Sequence, residues 1–447
     1  MNEKFLEFRE TYQDFIYDDY KINEYDDKLE IIYNFSIPKL ETFSHKIIKR
    51  DNIDNEFVNF IVFHIGLIEA ISYYKSVCTK NIIIKCGYLN AEQINWFKKL
   101  YYHGLGELLY RNNIEIDENN LVNFIIETKT EEFKKRTFES NGNLINVGGG
   151  KDSCVSLSIL EKESNNACFL MNAKGPMLEC ARISGYSDED IYCIDRIIDR
   201  DKIIKLNNLG FLNGHIPISS IIAFISYLVA YLSGKKYIVL SNEESANESY
   251  VKGKDVNHQY SKSFEFESDF YNYTTKYFSD NIKYFSLLRP LKELQIAYLF
   301  SKLKNYHSVF KSCNLGSKGS NWEWCLNCSK CLFIYIILSP FLSEEELINI
   351  FGENLLNKES LLNDFIGLIG ESANKPFECV GTYDEVIYAV NKSIYAYFEL
   401  HKELPSLLQF YFNEHGLVPV DDNVLKSYNN QNNLEEHFAK LVKERIL

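Results

Sequence analysis

The segment richest in reactive side chains is Gly148-Gly149-Gly150-Lys151-Asp152-Ser153, which follows the apolar run Leu144-Ile145-Asn146-Val147 and leads into the periodic stretch Cys154–Leu160. A strand that ends in a Gly-rich turn and enters a helix offers bare backbone N–H groups and the positive end of a helix dipole to an anion. The spacing is not that of a Walker A loop, so a phosphate bound here is held in another way. The bland alternative is an ordinary strand-to-helix turn. A second constellation is Cys313, Cys325, Cys328 and Cys331, with Trp322 and Trp324 before the tight cluster and Lys330 inside it. Four thiolates at such spacing suit a tetrahedral structural Zn2+, and an iron–sulfur cluster is chemically open too. Buried free thiols are the third option, because Cys331 opens the apolar run Leu332–Leu338.

Other candidates are weaker one by one. The strand Ile238-Val239-Leu240 ends in Ser241-Asn242-Glu243-Glu244-Ser245-Ala246-Asn247, and polar groups beyond the carboxyl ends of parallel strands are where open α/β sheets bind ligands. A solvated charge pair accounts equally for Glu243 and Glu244, and a capped loop histidine for His215 in Asn213-Gly214-His215-Ile216-Pro217. The stretch Asn257-His258-Gln259-Tyr260-Ser261-Lys262-Ser263 is dense in hydrogen-bonding groups, which fits substrate contact or a polar surface loop. His103 and Glu107 share a face if the chain is helical there, although Gly104 and Gly106 favour a turn. Cys379, in Lys375-Pro376-Phe377-Glu378-Cys379-Val380-Gly381, is a candidate proton base if a cation such as Lys375 lowers its pKa. As a structural residue it would be a small buried hydrophobe.

These groups need a scaffold, and 447 residues with 46% apolar content supply one. The formal charge of −14 argues against nucleic acid as a partner. The charged N-terminus lacks an apolar signal core, so a cytoplasmic location is expected, with the eleven cysteines as thiols or ligands rather than disulfides. The uncharged run from Ile216 to Gly234 contains Pro217 and four serines and is expected to be a buried helix rather than a membrane span. Pattern changes divide the chain into a mixed helix and strand region over 1–140, a strand–helix alternation over 141–345 and a mainly helical region over 346–447.

The Gly-rich turn resembles the S-G-G-x-D-S loop of the PP-loop ATP pyrophosphatases, with Gly148 where that superfamily usually has Ser. Its queuosine-pathway members also carry a four-cysteine zinc site late in the domain, which the cysteine cluster resembles. The wider set is Glu69…Ser72-Tyr73-Tyr74-Lys75, Tyr102-His103-Gly104-Leu105-Gly106-Glu107, the Gly-rich loop, Ser241–Asn247, Asn257–Ser263, Cys325–Cys331 and Lys375–Gly381. Taken together it resembles the ATP-dependent UDP-N-acetyl-α-D-muramoyl-L-alanyl-L-glutamate epimerases of peptidoglycan precursor synthesis, over roughly Glu69 to Gly381.

The resemblance implies an α/β fold: a parallel-sheet, Rossmann-like PP-loop domain (the adenine nucleotide α-hydrolase type), an α+β N-terminal domain that is a candidate substrate domain, and a small helical C-terminal region. It implies ATP and Mg2+ as cofactors and a structural Zn2+ on the four cysteines. Gly148, Gly149, Gly150 and Ser153 would hold pyrophosphate, Lys151 would neutralise it, Asp152 would position Mg2+ or the loop, and Ser241, Asn242 and Glu243 would complete the nucleotide site. Lys151, Asp152, Cys379, Glu378, His215 and His258 are the catalytic candidates; His103, Glu107, Asn257, Gln259, Ser261, Lys262 and Lys375 are the substrate-binding ones. The expected partner is a small nucleotide-sugar peptide, with neither nucleic acid nor membrane, and no oligomeric state is implied. Two alternatives stand beside this reading: an adenylating enzyme acting on a deazapurine, nucleobase or other peptidyl carboxylate, and a non-catalytic nucleotide-binding protein.

Overall fold

The computed structural model describes residues 2–26, 28–49, 56–128, 133–248, 257–258, 260–313, 322–372 and 375–446. Its strands are β1 (Asp14–Tyr25), β2 (Lys28–Ile37), β3 (Glu41–Lys49), β4 (Asn81–Ile84), β5 (Asn123–Ile126), β6 (Asn143–Asn146), β7 (Asn166–Met171), β8 (Ile191–Ile197), β9 (Tyr237–Leu240) and β10 (Lys283–Ser286). They form one ten-stranded sheet in the order β10-β9-β6-β7-β8-β3-β2-β1-β4-β5. The five strands from β10 to β8 are all parallel, as the strand–helix alternation requires. β3 then joins β8 antiparallel and starts the meander β3-β2-β1, whose far edge carries β4 and β5 in parallel. The α/β expectation holds, but the sheet is mixed and crosses residue 140 without a break. Every second residue of β2 is buried, including Leu29, Ile31, Tyr33 and Phe35, which is the period-2 pattern of a strand with one face on the core.

The helix Ile218–Leu232 starts directly after Pro217 and is buried along most of its length, as its uncharged sequence predicts. It packs on a second apolar helix, Glu56–Glu69. With the turn after it, Glu56–Tyr74 is long and apolar enough to cross a membrane, yet 89% of that stretch is buried inside the protein. The helix Ser329–Leu338 is buried throughout and anchors the C-terminal helices, of which Tyr383–Glu399 packs directly against it. The last helix, Glu436–Lys443, returns to the sheet edge, where Phe438 meets Tyr237 at 4.9 Å and Glu435 accepts a 2.8 Å hydrogen bond from the Tyr237 hydroxyl.

The seam between β3 and β8 is held by charge. Arg196 on β8 donates from Nε to Glu69 Oε1 at 2.8 Å and from Nη2 to Glu69 Oε2 at 2.6 Å and Ser72 Oγ at 2.8 Å. His45 on β3 lies 3.5 Å from the same carboxylate. Burial alone would push the Glu69 carboxyl up, but the Arg196 guanidinium and His45 outweigh it and hold it at about 2. Replacing Arg196 with Met leaves an unpaired buried carboxylate and is expected to cost about 3–5 kcal/mol in chemical denaturation. The pH dependence follows from a folded carboxyl near 2 against an ordinary 4.5. The wild-type contribution, about 3 kcal/mol at 1.36 kcal/mol per pKa unit, is complete above about pH 4.5 and is lost as pH falls toward 2. Arg196→Met should flatten that part of the stability profile.

Candidate active site

β6 lies between β7 and β9, so the strand order reverses there, and such a reversal opens a crevice beyond the carboxyl ends of the strands. The Gly-rich turn leaves β6 into that crevice and Ser241-Asn242-Glu243 leaves β9 beside it. Ser241 Oγ lies 2.8 Å from Ser156 Oγ on the helix Lys151–Leu160, which ties the two segments together, and the Asn242 N–H donates to Ser286 Oγ at 2.9 Å. Gly149 has φ +76, and a Cβ there would lie 3.0 Å from the Met177 nitrogen, so the turn requires glycine. A Cβ on Gly148 would meet nothing within 4 Å, so a Ser at this position fits sterically. Gly150 caps the helix without a side chain, leaving first-turn N–H groups to another acceptor. Ser153 Oγ bonds back to the Gly150 carbonyl at 2.9 Å.

Beside this turn lies a set of alternating charges. The fully buried Lys151 ammonium contacts both Asp152 and Glu293. It is therefore already neutralised, and it serves a phosphate only when one carboxylate takes another cation. Burial lowers its affinity for a proton, but the two carboxylates outweigh this and raise its pKa. Glu243 is buried, and its backbone carbonyl accepts a 2.7 Å bond from Arg289 Nη1. Arg289 also donates from Nη2 to the Lys262 carbonyl and pairs with Glu267 at 2.9 Å. One buried guanidinium thus fixes the segments that carry Glu243 and Lys262.

Lys262 donates to Cys379 Sγ at 3.2 Å, and Lys330 donates to the Cys379 carbonyl. Burial pushes the Cys379 thiol up, but Lys262, a hydrogen bond from His258 and the charge of Lys330 hold it at about 6. On the far side His258 Nδ1 contacts Glu107, which pairs with Arg111 at 2.6 Å. Burial lowers the His258 pKa, but Cys379 and Glu107 raise it to about 9. The ring of His215 lies 4.2 Å from that of His258, and burial, with the His258 charge, lowers the His215 pKa to about 4. A thiolate–imidazolium pair is thus favoured near neutrality, oriented by a carboxylate and next to a neutral imidazole. Lys262 and Lys330 also act on Asp152, whose pKa burial raises and Lys151, then Lys330, lower. The Gly-rich turn and the thiolate are neighbours in one charge network.

The helix break at Leu105 separates the fates of His103 and Glu107. Gly104 permits it, since a Cβ there would lie 2.6 Å from Pro217 Cγ. Glu107 enters the cluster, whereas His103 stacks on Tyr260 at 5.0 Å and faces Glu118 at 3.6 Å. His103, Tyr102, Tyr110, Asn247, Asn257 and Tyr260 line a pocket of about 470 Å³ that shares the 257–263 segment and the helix Gly106–Arg111 with the cluster. Asn257 also donates to the Ala246 carbonyl at 2.9 Å, and Ser261 is buried. Gln259 lies outside the described residues. One expectation is corrected. Lys375 does not supply the cation beside Cys379: its ammonium pairs with Glu248 and lies over the Tyr383 ring at 5.7 Å. Glu378, the other catalytic candidate of this segment, is half-buried, and its charge adds to burial in raising the Asp364 carboxyl. Lys330, Glu293 and Arg289 were missed as site residues, because only long-range folding brings them in; Lys330 alone carried a signal, its place inside the cysteine cluster.

The sulfurs of Cys313, Cys325, Cys328 and Cys331 lie within 4.8 Å of one another, with Cys325 3.3 Å from Cys328 and 3.6 Å from Cys331. A tetrahedron with Zn–S bonds of about 2.3 Å has edges of about 3.8 Å, so the four donors fit zinc. Cys331 therefore turns its sulfur to the cluster while its backbone N–H donates to Cys328 Sγ at 3.5 Å. Ser312, beside Cys313, accepts a 3.4 Å bond from the Lys151 N–H, and Lys330 lies between Cys328 and Cys331. The same module thus touches both the Gly-rich turn and the Cys379 carbonyl.

A family model of the MurL N-terminal domain matches residues 7–287, and one of the MurL C-terminal domain matches residues 309–397. The chain belongs to the MurL family. The UDP-N-acetyl-alpha-D-muramoyl-L-alanyl-L-glutamate epimerase of Xanthomonas oryzae pv. oryzae (strain MAFF 311018) is 34% identical over 323 residues, 70% of this chain and 70% of its own. The protein of that name from Salinispora tropica is 32% identical over 332 residues, 73% of this chain and 71% of its own. No solved structure matches the chain. The two MurL segments meet at the site: the first carries the Gly-rich turn, Glu107, His215, His258 and Lys262, and the second carries the cysteine cluster, Lys330 and Cys379.

Alkylation of Cys379 by iodoacetamide, followed by peptide mapping, should rise through about pH 6 in the wild type, well below the ordinary thiol value of 9.0. Lys262→Met removes the nearest cation, so the inflection should move up by about one unit or more, in the direction expected when a cation is lost.

Proposed function

We propose that this MurL-family chain is an ATP-dependent epimerase that activates the α-carboxylate of the terminal L-Glu of UDP-MurNAc-L-Ala-L-Glu and inverts its Cα to D-Glu, releasing AMP and pyrophosphate. The relatives' names supply the substrate and the isomerase class. The observation that carries the ATP-dependent part is that the cysteine module joins the Gly-rich turn to Cys379: Ser312 Oγ accepts from the Lys151 N–H at 3.4 Å and Lys330 donates to the Cys379 carbonyl. A carboxylate activated at the turn would lie beside the groups able to exchange its α-proton.

A free carboxylate strongly opposes a second negative charge at the adjacent carbon, which makes its α-proton hard to remove. Converting it to an acyl-adenylate removes that charge and makes the carbonyl an electron sink. In this reading the N–H groups of the Gly-rich turn and the first turn of the helix Lys151–Leu160 bind the phosphates. Asp152 and Glu293 would hold Mg2+, which supplies charge neutralisation to the leaving pyrophosphate and frees Lys151 to do the same. Ser241 and Asn242 line the crevice on the β9 side. Proton exchange at Cα falls to the cluster around Cys379, where His258, raised to about 9, and His215, lowered to about 4, lie with their rings 4.2 Å apart. The pocket lined by His103, Tyr110 and Tyr260 would receive the remainder of the substrate. A structural Zn2+ on the four cysteines would fix Ser312 and Lys330.

Incubation with ATP, Mg2+ and UDP-MurNAc-L-Ala-L-Glu in D2O tests both halves at once. The expected result is AMP, D-Glu and deuterium at Cα; AMP without deuterium would mean a different acceptor, and no AMP would remove the adenylating reading. Lys151→Ala and Asp152→Ala should each lower AMP formation by about 100-fold or more, on the scale of losing one preorganised electrostatic group. Full activity in both would refute the assignment of the turn. Metal analysis should return about one zinc per chain.

A further inference from the structure

Adenylation does not by itself explain how the acyl group stays in place while its α-proton is exchanged. The Cys379 sulfur, the His258 imidazole and the Glu107 carboxylate are arranged in the order of a nucleophile, its imidazole partner and an orienting acid. Lys262 donates to the sulfur at 3.2 Å and so offers a cation within reach of the oxygen of a carbonyl that the sulfur attacks. Cys379, His258 and Lys262 each keep part of their surface exposed, whereas Glu107 behind them is buried. We propose that Cys379 attacks the acyl-adenylate and carries the glutamyl group as a thioester, on which the stereocentre is inverted. This rests on the adenylation reading of the same site.

The step balances without a further reactant. The thiolate electron pair forms the S–C bond, the bond from the carbonyl carbon to the AMP oxygen breaks, and its electrons leave with AMP. The sulfur charge is then spent. His258 loses the anion that raised its pKa most directly, releases its proton to solvent and becomes a base for the Cα–H. The pair from that C–H bond passes into the thioester enolate, whose sulfur donates little into the carbonyl and so leaves it a better electron sink than a carboxylate. A proton from solvent on the other face gives the D centre, while His258 keeps the one it removed. Water then forms a new C–O bond and gives up its protons to solvent, the C–S bond breaks, and sulfur departs as the thiolate that Lys262 and the reprotonated His258 stabilise. Tethering also keeps the activated acyl group on the enzyme after AMP has gone.

The test uses the full-length wild type with ATP, Mg2+ and substrate radiolabelled in the terminal Glu. Rapid acid quench and peptide mapping should find the label on the peptide that contains Cys379, formed at least as fast as turnover and released by neutral hydroxylamine as the hydroxamate. AMP should appear in a burst approaching about one equivalent per chain if deacylation limits turnover. Cα deuterium exchange with no labelled Cys379 peptide at any quench time would overturn the thioester while leaving adenylation intact. Absence of ATP–pyrophosphate exchange would overturn adenylation, and the thioester with it. In Cys379→Ser the label should be absent or held as a hydroxylamine-resistant ester, and wild-type epimerisation by Cys379→Ala would also refute the proposal.

Discussion

A buried charge cannot be left alone, and this requirement organises the centre of the molecule. Lys151 is enclosed by Asp152 and Glu293, Arg289 by Glu267, and the Cys379 sulfur is flanked by Lys262 and His258. The partners cross between stretches of chain: Glu293 comes from a helix remote from Lys151 and Asp152, and Lys262 and His258 come from a segment remote from Cys379. The Gly-rich turn is thereby tied to the helix Glu293–Ser301, and the 257–263 segment and the cysteine module to the 375–381 segment. Arg289 extends the constraint to the backbone by binding the carbonyls of Glu243 and Lys262 as well as the Glu267 carboxylate.

This dependence marks what could be read in advance. The Gly-rich turn and the parallel strands around it are local patterns, and they are where the sequence places them. The helix Ile218–Leu232 follows from its uncharged composition and the proline before it. The cation beside Cys379 is different: Lys375 is four residues away in sequence yet pairs with Glu248, whereas Lys262, 117 residues away, contacts the sulfur. Sequence proximity carried no information there because the 375–381 segment is not a helix in which near neighbours share a face. Glu293 and Arg289 belong to no local motif and become legible only through the charges they balance. The His103–Glu107 spacing was ambiguous because the answer depended on Gly104 lying against Pro217, a contact made across more than a hundred residues.

The cysteine module connects chemistry that the sequence separates. Its first cysteine is adjacent to Ser312, which bonds to the Gly-rich turn, and Lys330, between its last two, holds the Cys379 carbonyl. A tetrahedral ion on these four sulfurs would be rigid, because its bond lengths and angles are fixed. It would reference the Gly-rich turn and the Cys379 segment to one point, although they belong to different MurL segments.

The continuity of the sheet has a further consequence for how a substrate enters and leaves. A ten-stranded slab that passes through the β3–β8 seam without interruption, with Arg196 and Glu69 riveting that seam, has no hinge between its β1–β5 half and its β6–β10 half. Opening and closing cannot be a rotation of one half on the other. Any rearrangement of the candidate site therefore falls to the connections at the carboxyl edge of the parallel strands, on a scaffold that itself stays still.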